Sequence, residues 1–316
     1  MRDRRRSRSP TRSGSRREIL SPVSGRRRDT LPHVLTTVMA GPYTIRGVSV
    51  GGVYTSLAVP ELGIVLDAGI PPRSAAAIDT ILLSHGHADH IGALPAFLGI
   101  RALHGKTKPP RVVMPAEIVD DLKTALAALS KLQRWPLDIE AIGMLPGDDI
   151  SLRGDIRVRA VRTYHPVPSL GYIITRRVSK LRPEFRGLPG PEIAARRRAG
   201  ESVSDDEDRL ELAYATDTLV SVLDHSPDLL RARVLIMECT FLDKRKTLEA
   251  ARAGCHIHLD EMIERADKFE NEHIVLMHVS QLYRPDEVAS ILDARVPPAL
   301  RAKIIPFAQN KPYWPG

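Results

Sequence analysis

The first third of the chain alternates between apolar and polar positions in a way that predicts β-strands. Between residues 34 and 67 the alternation has the two-residue period of half-buried strands. Glycine and proline separate the runs, and Gly51-Gly52 is typical of a hairpin turn. We therefore expect an antiparallel sheet edge here, formed by Val34–Met39, Tyr43–Val48, Val53–Val59 and Ile64–Asp67.

Further along the chain, strands and helices alternate. The apolar runs Thr80–Leu83 and Arg111–Met114 predict short buried strands. Apolar residues at helical spacing predict amphipathic helices over Ile91–Leu103 and Glu117–Leu132. Because this order places helices over a mixed sheet, the predicted fold class is α/β.

The turn after the strand Thr80–Leu83 contains four potential metal ligands within six residues, which are His85, His87, Asp89 and His90. Imidazole and carboxylate groups suit a borderline divalent metal. Neighbouring ligands on so short a loop cannot easily all point at one ion. We therefore expect two adjacent ions rather than one. The alternative, a solvated turn rich in histidine, is improbable by chance in a chain with 11 histidines.

Three later strands each end beside another residue that can bind a metal. Ligands and catalytic residues commonly lie where a strand gives way to a loop. Taken singly, each of these residues is more often an ordinary loop residue, but they form an ordered set behind the first motif. The strands and their polar neighbours are Ile156–Tyr164 with His165, Leu210–Ala215 with Asp217, and Ile274–Met277 with His278.

The basic charge of the chain comes from its first 30 residues. They contain 11 Arg and three acids, a net charge of +8, which equals that of the whole chain. A segment of Arg, Ser and Pro cannot form a core, so residues 1–30 are predicted to be a disordered tail and residues 31–316 one domain. The tail could contact polyanions through phosphates, act as a transit peptide, or simply aid solubility.

A second change of composition, over residues 175–209, predicts an excursion from the core. It combines Pro and Gly with a basic run at Arg196–Arg198 and an acidic run at Asp205–Asp208. One interpretation is a clamp for a phosphate backbone near the site. The other is a solvated insertion whose basic and acidic halves pair with each other.

Cysteine content and hydropathy favour a cytoplasmic protein that does not cross a membrane. No apolar run approaches the 20 residues that a membrane span needs. Two cysteines, Cys239 and Cys255, exclude a disulfide framework and suit a reducing compartment. Cys255 next to His256 leaves a nucleophilic Cys–His pair as a minor alternative to metal-dependent chemistry.

The histidine-rich turn resembles the signature of the metallo-β-lactamase superfamily of metal-dependent hydrolases. Within it, the chain is most similar to ribonuclease Z, the tRNA 3′-end endonuclease, in its short plant-like form. The resemblance implies a four-layer αββα sandwich with the site at the sheet edge. It rests on residues 84–95 (SHGHADHIGALP), 171–172 (GY), 180–188 (KLRPEFRGL), 238–243 (ECTFLD), 254–259 (GCHIHL), 268–271 (KFEN) and 278–283 (HVSQLY).

The resemblance also implies two zinc ions, with manganese as the alternative metal. The implied ligands are His85, His87 and His165 for one ion, Asp89, His90 and His278 for the other, with Asp217 bridging. The ions would share a hydroxide as the nucleophile. Asp67 would orient the metal-binding loop, although an Asp at this position can also simply cap a turn.

Further residues receive roles from the same resemblance. Asp89 would orient the hydroxide and accept its proton. His256, paired with Glu238, would act as the general acid. Ser280 and Tyr283 would hydrogen-bond the scissile phosphate. His258, close by, is instead expected to begin a helix.

The implied substrate is precursor tRNA, and the family suggests a homodimer. Several departures weaken the match to tRNA without touching a metal ligand: Leu282 replaces the usual Arg, Thr216 replaces a Gly, Val279 replaces an aromatic residue, and the tRNA-gripping arm is reduced to the 175–209 excursion. The alternative function is hydrolysis of a small phosphodiester, ester, lactone or thioester. A metal-free binding module is a third, weaker alternative because the ligand set is intact.

Overall fold

A computed structural model describes residues 35–309 and 311–314; the predicted tail at 1–30 lies outside these residues. The described part contains two seven-stranded sheets. The first consists of β1 (Thr36–Ala40), β2 (Tyr43–Val50), β3 (Tyr54–Val59), β4 (Ile64–Leu66), β5 (Thr80–Leu82), β6 (Arg111–Pro115) and β7 (Glu140–Met144). The second consists of β8 (Asp149–Arg153), β9 (Ile156–Arg162), β10 (Leu170–Leu181), β11 (Ser204–Ala215), β12 (Val234–Glu238), β13 (His273–Met277) and β14 (Ile304–Pro306).

Helices connect the strands, and most of them follow the parallel strands. They are α1 (Ala88–Ile91), α2 (Leu94–Leu103), α3 (Val119–Gln133), α4 (Gly190–Arg198), α5 (Ser221–His225), α6 (Asp228–Arg231), α7 (Leu248–Ala253), α8 (Leu259–Ile263), α9 (Val288–Arg295) and α10 (Pro298–Arg301). No helix of the described residues is long and apolar enough to cross a membrane.

The two sheets have the same pattern of pairing. In the first, β1 to β4 are antiparallel and β4 to β7 are parallel. In the second, β8 to β11 are antiparallel and β11 to β14 are parallel. The carboxyl ends of parallel strands in an open sheet are the usual place for a binding site. Each sheet therefore offers one such edge.

Alternation along the strands sorts apolar side chains into three cores. Leu82 of β5 and Ile236 of β12 belong to a cluster that draws on both sheets and fills the space between them. Ile81, the residue before Leu82 in β5, faces the other side of the sheet and packs with α2 and α3. On the second sheet, Leu235 packs with the later helices. A helix layer therefore covers the outer face of each sheet, which confirms the predicted αββα sandwich.

The helix predicted over Ile91–Leu103 is two helices. The short α1 begins at Ala88, so it includes Asp89 and His90. The N–H of Ala93 donates to the carbonyl of Ala68 at 2.9 Å instead of continuing α1. Pro95 lies in the first turn of α2, where its missing N–H costs nothing.

The excursion is a continuation of two core strands. The ends of β10 (Thr175–Leu181) and β11 (Ser204–Arg209) stay paired, with α4 between them, and together we call them the arm. The acidic run Asp205–Asp208 lies within β11. Opposite charges across an antiparallel pair attract each other. The ion pairs along the arm are Arg177–Asp206, Lys180–Glu207 and Arg182–Asp205, so its basic and acidic halves pair with each other.

Candidate metal centre

The predicted ligands lie on loops at the carboxyl ends of strands from both sheets. Two of these loops and the neighbouring loop after β4 begin with an unusual backbone: Asp217 has φ 47°, His278 φ 58° and Asp67 φ 56°. Left-handed backbone is disfavoured for residues other than Gly, and each instance costs of order 1–3 kcal/mol. The strain is concentrated at these strand ends, which is typical of a functional site.

Four of the side chains form a first group: His85, His87, His165 and Asp217. Nδ1 of His87 lies 3.1 Å from Nε2 of His85 and 3.1 Å from Nε2 of His165. Oδ2 of Asp217 lies 3.8 Å from His85 and 4.0 Å from His165. Nitrogen and oxygen atoms converge here from three separate loops.

A second group contains Asp89, His90 and His278. Oδ2 of Asp89 lies 3.5 Å from Nε2 of His90 and 4.0 Å from Nε2 of His278. The remaining oxygen of Asp217, Oδ1, lies 3.4 Å from Nε2 of His90 and 3.2 Å from Nε2 of His278. One carboxylate oxygen of Asp217 therefore faces each group.

The hydrogen-bond network fixes which nitrogens are free to bind a cation. Thr240 donates its hydroxyl proton to Glu238 at 2.6 Å, so it accepts from Nδ1 of His278 at 3.0 Å. Nδ1 of His90 likewise donates to Asp67 at 2.7 Å. The Nε2 atoms of His90 and His278 are buried and have no hydrogen-bond partner among the described residues. A bare lone pair facing a carboxylate is repulsive unless a cation lies between them, so these residues fit metal ions.

Asp67 holds the loop that carries the first ligands. Its carboxylate accepts from the N–H of Ser84 at 2.6 Å, from the hydroxyl of Tyr214 at 2.6 Å, and from His90. Such outer partners fix the orientation of a ligating imidazole. Two residues after Asp67, the chain passes so close to the metal-binding loop that only glycine fits. A Cβ at Gly69 would lie 1.9 Å from the carbonyl oxygen of Asp89.

The electrostatics differ between the two groups. Burial lowers the pKa of His85 to about 2, and it also lowers the pKa of His165 and His278. Burial acts in the same direction on His90, but the carboxylates of Asp67 and Asp217 outweigh it and hold its pKa well above the usual value. In the second group, the surroundings of His90 therefore favour positive charge, whereas burial disfavours it at His278.

His256 and Glu238 contact each other and lie next to both ligand groups. Nδ1 of His256 lies 3.2 Å from Oε2 of Glu238. The ring of His256 is 5.3 Å from that of His278 and 6.0 Å from that of His165. Burial opposes protonation, but Glu238 outweighs it and raises the pKa of His256 to about 9. The neighbouring carboxylate therefore favours the protonated form of His256, which is the form that a proton donor needs.

The carboxylate of Glu238 is fully buried and saturated with donors. It accepts from the N–H of Thr218 at 2.6 Å and from the N–H of Ile257 at 3.2 Å, besides Thr240 and His256. Buried carboxylates need such partners to remain ionised. Because these hydrogen bonds hold Glu238 in place, Glu238 in turn fixes the position of His256.

Ser280 and Tyr283 differ in their access to the cleft. Ser280 accepts from the N–H of Leu282 at 3.3 Å, which leaves its hydroxyl proton available to a ligand. Tyr283 is buried, and its hydroxyl accepts from the N–H groups of Leu242 and Asp243. In this structure Tyr283 holds the loop after β12. Its contact with a phosphate stays a prediction.

His258 was placed correctly from the sequence, whereas three partners of the central residues were missed. The side chain of His258 accepts from the N–H of Asp260 at the start of α8, as expected for a helix-start residue. Sequence reasoning missed Thr240, Ser84 and Tyr214 as partners of the central residues. Their only signal is their closeness to strand ends, since polar residues of these types occur in many loops.

Comparisons with known proteins agree with this geometry. Residues 58–279 match the family model of the beta-lactamase superfamily domain. The chain is 36% identical to tRNase Z TRZ1 of Arabidopsis thaliana over 270 residues, which is 85% of this chain and 96% of that protein. It is 34% identical to the chloroplastic tRNase Z TRZ2 of the same plant over 270 residues, which is 85% of this chain and 76% of that protein. The crystal structure of human tRNase Z, short form, superimposes with a TM-score of 0.51 at 17% identity, covering 79% of this chain and 93% of that one.

Proposed function

The chain belongs to the beta-lactamase superfamily, in its tRNase Z branch, and we propose that it is an endoribonuclease that removes 3′ trailers from precursor tRNA and leaves a 3′-hydroxyl. The observation that carries this proposal is the position of Asp217 between two groups of ligands. Two adjacent cation sites suit in-line hydrolysis of a phosphodiester. The curated relatives, which are named tRNase Z, support the choice of substrate.

Two divalent cations fit the two groups, and we assign them as zinc, with manganese as the alternative. Nitrogen-rich ligand sets with one shared carboxylate are typical of zinc. When bound, the ions lower the pKa of water and compensate the charge of phosphate oxygens. The proposed ligands are His85, His87 and His165 at one ion, Asp89, His90 and His278 at the other, and Asp217 at both.

Side chains around the cleft would position the reactants. The carboxylate of Asp89 remains partly exposed, so it can orient the attacking water and accept its proton. Ser280 can donate its hydroxyl proton to an oxygen of the scissile phosphate. These two residues act on opposite reactants, the nucleophile and the phosphate.

The leaving 3′-oxygen needs a proton, and His256 supplies it in this proposal. Its Nδ1 is held by Glu238, so the other ring nitrogen can carry the proton that is transferred. Glu238 keeps the imidazole charged until the bond breaks. The transfer leaves a neutral His256 and a 3′-hydroxyl on the product.

Precursor tRNA as the substrate has to be compatible with the reduced arm. The ion pairs along the arm neutralise its strands, which limits a clamp to the exposed arginines of α4. Leu282, half exposed beside Ser280, offers no charge to a phosphate. Recognition of RNA therefore depends on these arginines together with cations elsewhere on the protein.

We also propose that two chains form a homodimer through the ends of α2 and α3. Four large apolar side chains are exposed there: Leu103, Leu129, Leu132 and Trp135. Exposed apolar patches of this kind commonly mark an interface. Light scattering would give twice the chain mass for the wild type, and Leu132→Asp with Trp135→Ser would give a monomer.

The cytoplasm is the proposed compartment. The two cysteines are free in the structure, as suits a reducing environment. Relatives occupy other compartments, since one is named chloroplastic and another, from Triticum aestivum, is named nuclear ribonuclease Z. Imaging of a C-terminal fluorescent fusion tests the assignment, and a signal confined to an organelle would refute it.

Parallel assays of purified protein test the function. Zinc-loaded protein is incubated with 3′-extended tRNA, with bis(p-nitrophenyl) phosphate and with a thioester panel. We expect cleavage of the tRNA after its acceptor stem with a free 3′-hydroxyl on the product. Hydrolysis of the thioesters or the small diester alone, with the tRNA intact, would favour the small-substrate alternative.

A further inference from the structure

The loop between β12 and α7, residues 239–247, is a rigid platform next to His256. The hydroxyl of Tyr283 accepts from the N–H of Leu242 at 2.8 Å and from the N–H of Asp243 at 3.2 Å. The carbonyl of Phe241 accepts from the N–H of Leu259 at 2.8 Å. A loop fixed at consecutive residues holds its side chains in defined positions.

The cationic side chains of this loop differ in whether a carboxylate compensates their charge. Arg245 lies 3.0 Å from a carboxylate oxygen of Asp243 and 2.6 Å from one of Glu287, so its charge is compensated. Lys246 has no carboxylate partner among the described residues. Its Nζ lies 5.4 Å from the centroid of the Phe241 ring, an arrangement that steers the ammonium without neutralising it.

Lys246 is one aromatic ring away from the proton donor. The rings of Phe241 and His256 are 6.2 Å apart and meet edge to face at 77°. On its other side, the ring of His256 is 5.3 Å from that of the metal-group residue His278. The ring of Phe241 therefore contacts both the ammonium of Lys246 and the imidazole of His256.

We propose that Lys246, positioned by the buried ring of Phe241, binds the phosphate immediately 5′ of the scissile bond. The inference rests on the proposed function, in which His256 gives its proton to the leaving 3′-oxygen. The nucleotide that bears this oxygen must lie beside His256, and its own 5′-phosphate lies one step further along the strand. An ammonium without a carboxylate partner is suited to bind it as a point charge.

A neutral linkage in the substrate tests this contact directly. Two 3′-extended RNAs are compared, one natural and one with a methylphosphonate at the linkage 5′ of the cleavage site. Lys246→Ala should lower kcat/KM on the natural RNA by about tenfold, mainly through KM, and should lower the salt slope by about one. On the methylphosphonate RNA the same substitution should have little further effect. Lys246→Arg, which keeps the charge, should restore most of the activity.

Lys244→Ala is the matched control, because Lys244 is an exposed lysine of the same loop without a ring contact. It should cleave both RNAs as the wild type does. An equal loss for Lys246→Ala on both RNAs would make Lys246 a purely structural residue and overturn the inference. Undiminished cleavage of the natural RNA by Lys246→Ala would overturn it as well. Wild-type protein that leaves both RNAs intact would overturn the proposed function itself.

Discussion

Oδ1 of Asp217 approaches Nε2 of His278 to 3.2 Å, although the two residues follow different strands and each has left-handed backbone. Neither contact nor strain is explained by packing alone, since the imidazole nitrogen has no hydrogen-bond partner among the described residues. A cation between them would satisfy both atoms. The proposed chemistry depends on this arrangement and on its counterpart at His85.

Loss of one ligand should remove activity together with metal. We expect His87→Ala to bind less metal and to lose more activity than the roughly 100-fold that removal of an outer partner costs. Elemental analysis and cleavage assays measure both effects. His104→Ala, an exposed histidine outside the groups, is the control and should retain both properties. Near-normal turnover by His87→Ala would refute the ligand assignment.

His256→Ala should separate chemistry from metal binding. Without the proton donor we expect cleavage to slow by about 10² to 10⁴, with the metal content unchanged. Glu238→Gln should slow it in the same direction, because the imidazole loses the charge that holds its proton. Loss of metal from His256→Ala would show that His256 is a ligand instead of a proton donor.

Asp67→Asn tests the support of the metal-binding loop. The substitution keeps the shape but weakens the acceptor that His90, Ser84 and Tyr214 share. We expect metal affinity to fall by about 10- to 100-fold. Titration with a competing chelator gives the affinity, and an unchanged value would reduce Asp67 to a turn-capping residue.

Deletion of residues 1–30 should leave the chemistry intact. Hydrolysis of bis(p-nitrophenyl) phosphate is expected to match the full chain. The removed segment carries a net charge of +8, so RNA binding should depend less on salt. Binding measured at several salt concentrations gives the slope, and an identical slope would mean that the tail does not contact RNA.

The ion pair of Asp79 with the buried Arg101 predicts a pH dependence of stability. The hydrogen bond from Arg101, at 2.7 Å, lowers the pKa of Asp79 below its ordinary value of about 3.9. The contribution is therefore fully present above about pH 3.9 and is lost as the pH falls through the folded-state pKa. Urea unfolding of Asp79→Asn should show a loss of about 1 kcal/mol at pH 7 that shrinks below pH 4. A difference that persists in acid would contradict this origin.

Local alternation predicted the strands, and the resemblance to the metallo-β-lactamase superfamily implied the sandwich that the two sheets form. The predicted ligand side chains come together in the structure, and their binding of metal stays a prediction. Alternating runs such as Val53–Val59 indicated strands, and a ligand after each strand indicated the site. Tyr283 could not be placed in this way, since its motif spacing says nothing about which side of the loop it faces. The pairing of the acidic run Asp205–Asp208 with the cations of β10 could not be predicted, because it becomes visible only across the sheet.

Anomalous diffraction at the zinc absorption edge, from crystals of the zinc-loaded protein, tests the central claim most directly. The account predicts two peaks roughly 3.5 to 4 Å apart, on either side of the Asp217 carboxylate. One peak should lie among His85, His87 and His165, and the other between His90 and His278. A single peak, or two peaks that do not share Asp217, would contradict it.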